Sequence, residues 1–187
     1  MNDYEKMNRE RLITLLSKLP SNECPDGWDS VGKFAVGGLT EIGFSKNDEL
    51  LLVVSSAGRG VIDCVHGKKI SRDDEVDGEW YMPAELMCQG IGPLQAEAVH
   101  IAGLHGGGLP TSNSVGESLE VVSPEWPKSN LIFCAPYKSA LIEGHQTGCV
   151  TIASDYFRAF GFSWSGNSIA YATESDVTIF HKRSVSL

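Results

Sequence analysis

The segment Phe160 to Phe180 restates Ile42 to Ser55 in degraded form. Gly43-Phe44-Ser45 leads through the polar turn Ser45-Lys46-Asn47-Asp48 into the apolar run Leu50 to Val54. Gly161-Phe162-Ser163 leads through Ser163-Trp164-Ser165-Gly166-Asn167 into Ile169 to Ala172. The offset between the two is 118 (161 − 43). Internal repetition constrains architecture first, because a short unit that cannot bury its own apolar face must stack on copies of itself.

A third unit lies between. Asn130 to His145 resembles Glu49 to Asp63: each is an apolar run, a short break with a cation and small residues, then a second apolar pair and an acid. Leu131 stands 80 residues after Leu51 (131 − 51) and 38 before Ile169 (169 − 131), so the unit is about 40 residues long. In the weakest unit only Ala98 to Leu104 reads as a strand. Val, Ile and Tyr in the runs favour the pleated, half-buried state, and Gly, Asn, Asp and Ser at the breaks supply turn geometry. The expected fold class is mainly β: small propeller-like or stacked antiparallel sheet units with one N-terminal helix. One domain over 1–187 is expected, with candidate units at 31–74, 75–116, 117–155 and 156–183. The last unit stops after its third strand, near His181, and Gly32 to Val36 is the strand expected to complete it, which removes two open edges.

Gly161 to Ala172 with the following Asp176 to Phe180 resembles a blade of a β-propeller of the WD-repeat or Tol-like kind. In such blades a Phe-Ser-x-x-Gly turn joins the inner strand to the second and an Asp-containing turn opens the third. Ala57 to Cys64 resembles stretches of bacterial propeller-like proteins. The resemblance covers about a third of the chain, and no unit carries the ordered signature of WD repeats, a Gly-His followed by a Trp-Asp. It implies blades around a common axis and a scaffold for binding.

Residues 2–19 read as an amphipathic helix. Asn2 and Glu5 form a capping pair, Leu12, Leu15, Leu16 and Leu19 recur at helical spacing, and Pro20 ends it. Residues 21–30 form a polar linker, and Gly103 to Gly116 a glycine-rich loop. A hydrophobic share of 42% with 21% charged residues fits a globular chain. The formal charge of −9 opposes nucleic acid and anionic lipid and suits a basic protein partner. No apolar stretch reaches membrane-spanning length, and the N-terminal stretch lacks a signal peptide's apolar core, so neither a membrane partner nor export is expected. Five widely spaced cysteines without a C-x-x-C predict reduced thiols and a cytoplasmic location.

The chemical motifs are incomplete. His105-Gly106-Gly107-Gly108 matches the oxyanion string of one lipase group, but the nearest nucleophile elbow, Gly161 to Ser165, ends in Ser instead of Gly. His100 and His105 are spaced too far apart for a local zinc pair. The acids Asp73, Asp74, Glu75, Asp77 and Glu79 do not follow the calcium-loop order. No phosphate-binding loop or dinucleotide fingerprint occurs. Neither a catalytic set, a metal nor a cofactor is therefore expected. The expected function is a non-catalytic protein-binding module, with an acidic inhibitor or immunity-type partner of a basic protein as its concrete form. Its contact residues are Arg59, set between two glycines in a turn, His105, and the turn-flanking Trp80, Trp126 and Trp164. The alternative is a hydrolase or metal-dependent enzyme with a pocket around His100 and His105 and an acid such as Asp63 or Asp73.

Overall fold

A computed structural model describes residues 2–21, 24–76 and 78–184. Among the described residues the fold is mainly β, with one N-terminal α-helix and several small antiparallel sheets, none closed into a barrel. The strands are β1 (Trp28–Ala35), β2 (Leu39–Phe44), β3 (Leu50–Ser55), β4 (Gly58–Asp63), β5 (Lys68–Asp73), β6 (Tyr81–Met82), β7 (Met87–Gln89), β8 (Ala98–His100) and β9 (Ala102–Gly103). They continue with β10 (Ser118–Val122), β11 (Ser129–Cys134), β12 (Val150–Asp155), β13 (Ala159–Phe162), β14 (Ser168–Ala172) and β15 (Asp176–Lys182). The helix is α1 (Asp3–Leu16). The chain divides into two compact units, one of Met1–Asp26 with Thr111–Tyr156 and one of Gly27–Pro110 with Phe157–Leu187.

The larger unit holds three sheets, ordered β5-β4-β3-β2-β9, β1-β15-β14-β13 and β6-β7-β8. Strand β3 explains the stacking. Its run Leu51-Leu52-Val53-Val54 is apolar at every position, which suits a strand covered on both faces. Leu51 and Val53 pack with Ala170, Ala172, Val177 and Ile179 of the β14–β15 sheet. Leu52 and Val54 pack with Trp80, Cys88, Leu94 and Val99 of the β6–β8 region. The five-stranded sheet therefore has an apolar neighbour on each side.

The echo in the sequence is an echo in pairing. Gly43 faces Leu52 as Gly161 faces Ala170, Leu52 faces Val61 as Ala170 faces Ile179, and Leu50 faces Asp63 as Ser168 faces His181. Every pair is displaced by 118. The fourth strands agree as well. β5 bulges opposite Val61 and Ile62, and β1 bulges opposite the matching Ile179 and Phe180. The expected completing strand is thus found: β1, beginning at Trp28 and including Gly32 to Ala35, runs antiparallel to β15.

The shared Gly-Phe-Ser motif has a steric reason. A Cβ on Gly43 would stand 2.2 Å from the carbonyl oxygen of His100, and one on Gly161 would stand 2.3 Å from Leu109 Cβ and 2.8 Å from the oxygen of Pro110. In both sheets a neighbouring segment crosses the first strand at this residue, and only glycine leaves room.

The smaller unit carries α1 and the sheet β10-β11-β12. The capping box of Asn2 and Glu5 is present. The helix ends at Leu16, earlier than the expected 19, because Lys18 and Leu19 donate to carbonyls three residues back and tighten the last turn. Leu16 and Leu19 pack with Ile132, Cys134, Ala140 and Cys149.

Three local expectations change. Leu141 and Ile142 are not a strand; β11 pairs with β12, whose first residue is Val150, after a long irregular connection. Ala98 to Leu104 is not one strand, because β8 pairs with β7 while β9 crosses to β2. Arg59 is not in a turn. Ser56 and Ala57 make the turn, Gly58 closes it at φ +98°, and Arg59 and Gly60 already belong to β4.

Candidate functional sites

Glu41, His105 and Tyr81 form the most unusual polar cluster of the larger unit. Glu41 sits on β2 with no exposed surface. His105 Nδ1 lies 2.7 Å from Glu41 Oε1 and 2.7 Å from the Tyr81 hydroxyl. Burial, and then the Glu41 carboxylate, push the Tyr81 phenol well above its ordinary value, so it stays protonated. A carboxylate removed from water needs such donors, and the other oxygen, Oε2, has no partner among the described residues. The imidazole is about half exposed, so His105 links the buried Glu41 side chain to solvent.

Arg59 lies next to this cluster in the fold and is itself buried. Its Nε and Nη2 donate to Asp73 Oδ2 at 3.1 and 2.9 Å, its Nη1 donates to the Gln89 carbonyl at 2.6 Å, and its guanidinium stacks 4.5 Å from the Trp80 ring centre. Both Arg59 and Trp80 (8% exposed) are thus committed inside the unit, which corrects their expected placement as surface contacts. The reason is the strand position of Arg59: its side chain leaves β4 on the face that packs against Trp80 and β7, not from a turn tip. Cys88 lies against the same pair, and burial pushes its thiol up to about 11 while Arg59 pulls the other way.

A second cluster has the composition of a catalytic triad but not its geometry. Glu49 accepts from the hydroxyls of Ser163, Ser165 and Ser168, and Ser168 Oγ also lies 3.0 Å from His181 Nδ1. A nucleophile needs an open Oγ with the imidazole between it and the acid. Ser168 has no exposed surface and itself stands between the two. The cluster is a latch: Glu49, just before β3, holds the turn before β14. The same device recurs one sheet over, where Glu97, just before β8, accepts from Ser45 Oγ at 2.7 Å and from the Lys46 N–H at 2.8 Å.

The residues of the enzymatic alternative have separate partners. His105 pairs with Glu41 and Tyr81, Asp63 with His66, and Asp73 with Arg59, while His100 lies exposed on β8. Asp77 of the acidic loop lies outside the described residues. Among the described residues no three His, Cys, Asp or Glu side chains converge to hold a metal ion, and no helix is long and apolar enough to cross a membrane.

Two features were not legible beforehand. One is a cavity of about 450 Å³ on the face of the five-stranded sheet nearest residues 35–37. Val36, Val53 and Ile62 give it apolar walls, and Lys69 and Arg72 stand at its rim. The other is Tyr137 in the smaller unit, held at φ +59° and 84% exposed. Of the expected aromatic contacts, Trp126 is 82% exposed beside a cis Pro127, and Trp164 is 51% exposed with Lys46 Nζ 5.9 Å from its ring. Comparison of the chain with family models, with curated proteins and with solved structures returned no match.

Proposed function

We propose that the chain is a non-catalytic binding module for a basic protein, built on a propeller-like stack of sheets. The observation that carries this reading is Tyr137. A bulky aromatic with positive φ is a rare and strained backbone state, and such strain persists where the surroundings impose it. Tyr137 N–H donates to the Gly116 carbonyl, and Gly116 lies under the ring: a Cβ there would come within 2.9 Å of it. The result is a rigid aromatic face turned to solvent, the kind of group that anchors an interface. Trp126 adds a second exposed aromatic in the same unit. The net charge of −9 supports a cationic partner and encounter that weakens with salt. Inhibition of that partner is the concrete role, since occlusion requires no chemistry.

Tyr137→Gly separates contact from fold, because glycine adopts positive φ without strain. The variant keeps or gains thermal stability, yet loses roughly tenfold or more in retention of a partner that wild type captures from cell extract at low ionic strength. Equal retention by both proteins, or capture indifferent to salt, would sink the proposal. A second reading, acid–base catalysis, is favoured by one observation: the unpartnered Glu41 Oε2 behind a half-exposed His105. It requires a hydrolytic activity that His105→Ala abolishes.

A further inference from the structure

We infer that the cavity beside β4 and β5 is a binding site for a small amphipathic anion, a carboxylate with an aliphatic or aryl tail. This is independent of the macromolecular reading, since it concerns the larger unit and a small molecule.

Three observations converge. The first is size: about 450 Å³ lies within the range of small-molecule sites, roughly 300 to 1,000 Å³. The second is the distribution of chemistry. Val36, Val53 and Ile62 offer apolar wall, and the cations Lys69 and Arg72 stand together at the rim. Neither cation is saturated. Lys69 Nζ donates once, to the Ala35 carbonyl at 3.0 Å; Arg72 donates from Nε to Asp74 at 2.7 Å and from Nη2 to the Ala57 carbonyl. Ammonium offers three donors and guanidinium five, so both retain capacity for an anion. Asp74 pairs directly with Arg72, but its side chain is 83% exposed, so solvent screens the pair and the remaining guanidinium donors stay open to an anion. Cations on an edge strand also deter sheet-to-sheet pairing; here, however, both line one cavity.

The third observation is Gly60. Its backbone does not require glycine: it has no positive φ. Nor does crowding require it, because a Cβ would meet only the Ser71 carbonyl oxygen, at 3.4 Å, an ordinary contact. The matching position in the β13–β15 sheet holds Thr178, buried. Glycine inside a strand weakens it and marks places where something else approaches the backbone. At residue 60 it keeps the cavity open.

Titration calorimetry with octanoate and with its neutral twin octanamide tests the assignment on the full chain. Octanoate is expected to saturate one site, and octanamide to bind about tenfold more weakly or worse. Lys69→Gln and Arg72→Gln each weaken octanoate by about tenfold, while Lys68→Gln, a change of exposed charge outside the cavity lining, does not. Gly60→Thr, which copies the matching sheet, abolishes binding with the melting temperature kept or raised. Ala57→Phe, at an exposed lining position, reports the same blockage should Gly60→Thr disturb folding. Absence of saturable octanoate binding overturns the assignment, as does binding that survives both filling substitutions.

Discussion

The sheet β2–β5 and the sheet formed by β13–β15 with β1 have one hydrogen-bonding plan and two side-chain plans. Their first three strands match pair for pair at a displacement of 118, and their fourth strands bulge at matching places. Yet one takes its fourth strand from the next stretch of chain and the other from near the opposite end. Backbone pairing is indifferent to connectivity, so the plan survives a change in where the strand comes from. What differs is what each sheet does with its faces. At one matched position β15 has the buried Thr178, and β4 has Gly60 beside a cavity. The difference teaches that the repeated frame sets the fold, and single departures from it create the places where function can sit.

The comparison can be broken hardest at the glycines that both sheets share. Gly43→Ala and Gly161→Ala each force a methyl group onto a crossing backbone segment, and each should cost about 1–3 kcal/mol in chemical denaturation. Gly60→Ala, where the space is open, is the contrasting measurement and costs no stability. If Gly43→Ala proves as harmless as Gly60→Ala, the crossing is not the reason for the motif.

The latches sharpen it next. Glu49 receives three serine hydroxyls, whereas Glu97 receives one hydroxyl and one backbone N–H. Glu49→Gln should therefore cost about 2 kcal/mol and Glu97→Gln about 1 kcal/mol, read from the same denaturation curves. Reversal of that order would show that hydroxyl partners contribute less here than a single peptide donor.

The smallest effect is one of acid. Asp63 is buried enough to raise its carboxyl, but the N–H groups of His66 and Val65 and the His66 ring outweigh this and hold it below its ordinary 3.8. The Glu75 N–H, then Arg59, do the same for Asp73. Groups lowered on folding stabilise above their unfolded value and lose that contribution as pH falls through the folded one. The matched positions in the other sheet are His181 and Phe34, which carry no such carboxylate. Amide exchange should accordingly rise in β4 and β5 before β14 and β15 as pH drops below about 3.8. Simultaneous opening would remove this distinction between the sheets.

Much of the frame could be read from residues alone. Gly43 and Gly161 with their Phe-Ser partners announced the matching hairpins, Asn2 with Glu5 announced the helix start, and the truncated last unit announced a closing strand near Gly32. The sites were far less legible. Arg59 looked like a turn residue because Gly58 and Gly60 flank it, but only the first of those glycines closes the turn. His105 looked like a member of a glycine-rich loop, while its partners Glu41 and Tyr81 lie 64 and 24 residues away and share no motif with it. Tyr137 gave no sign at all, since positive φ at a non-glycine residue is set by its surroundings.

Periodicity and turn chemistry are local, so the amino-acid order by itself determined the mainly β class and the matching hairpins around Gly43 and Gly161. Whether a polar side chain ends buried, latched or open depends on which distant segment passes over it. Only the tertiary structure decided that Ser168 is sealed beneath Glu49, that Arg59 is spent on Asp73 and Trp80, and that Gly60 borders a space instead of a neighbour. Burial is a property of packed surfaces, and no short window of sequence contains both of them.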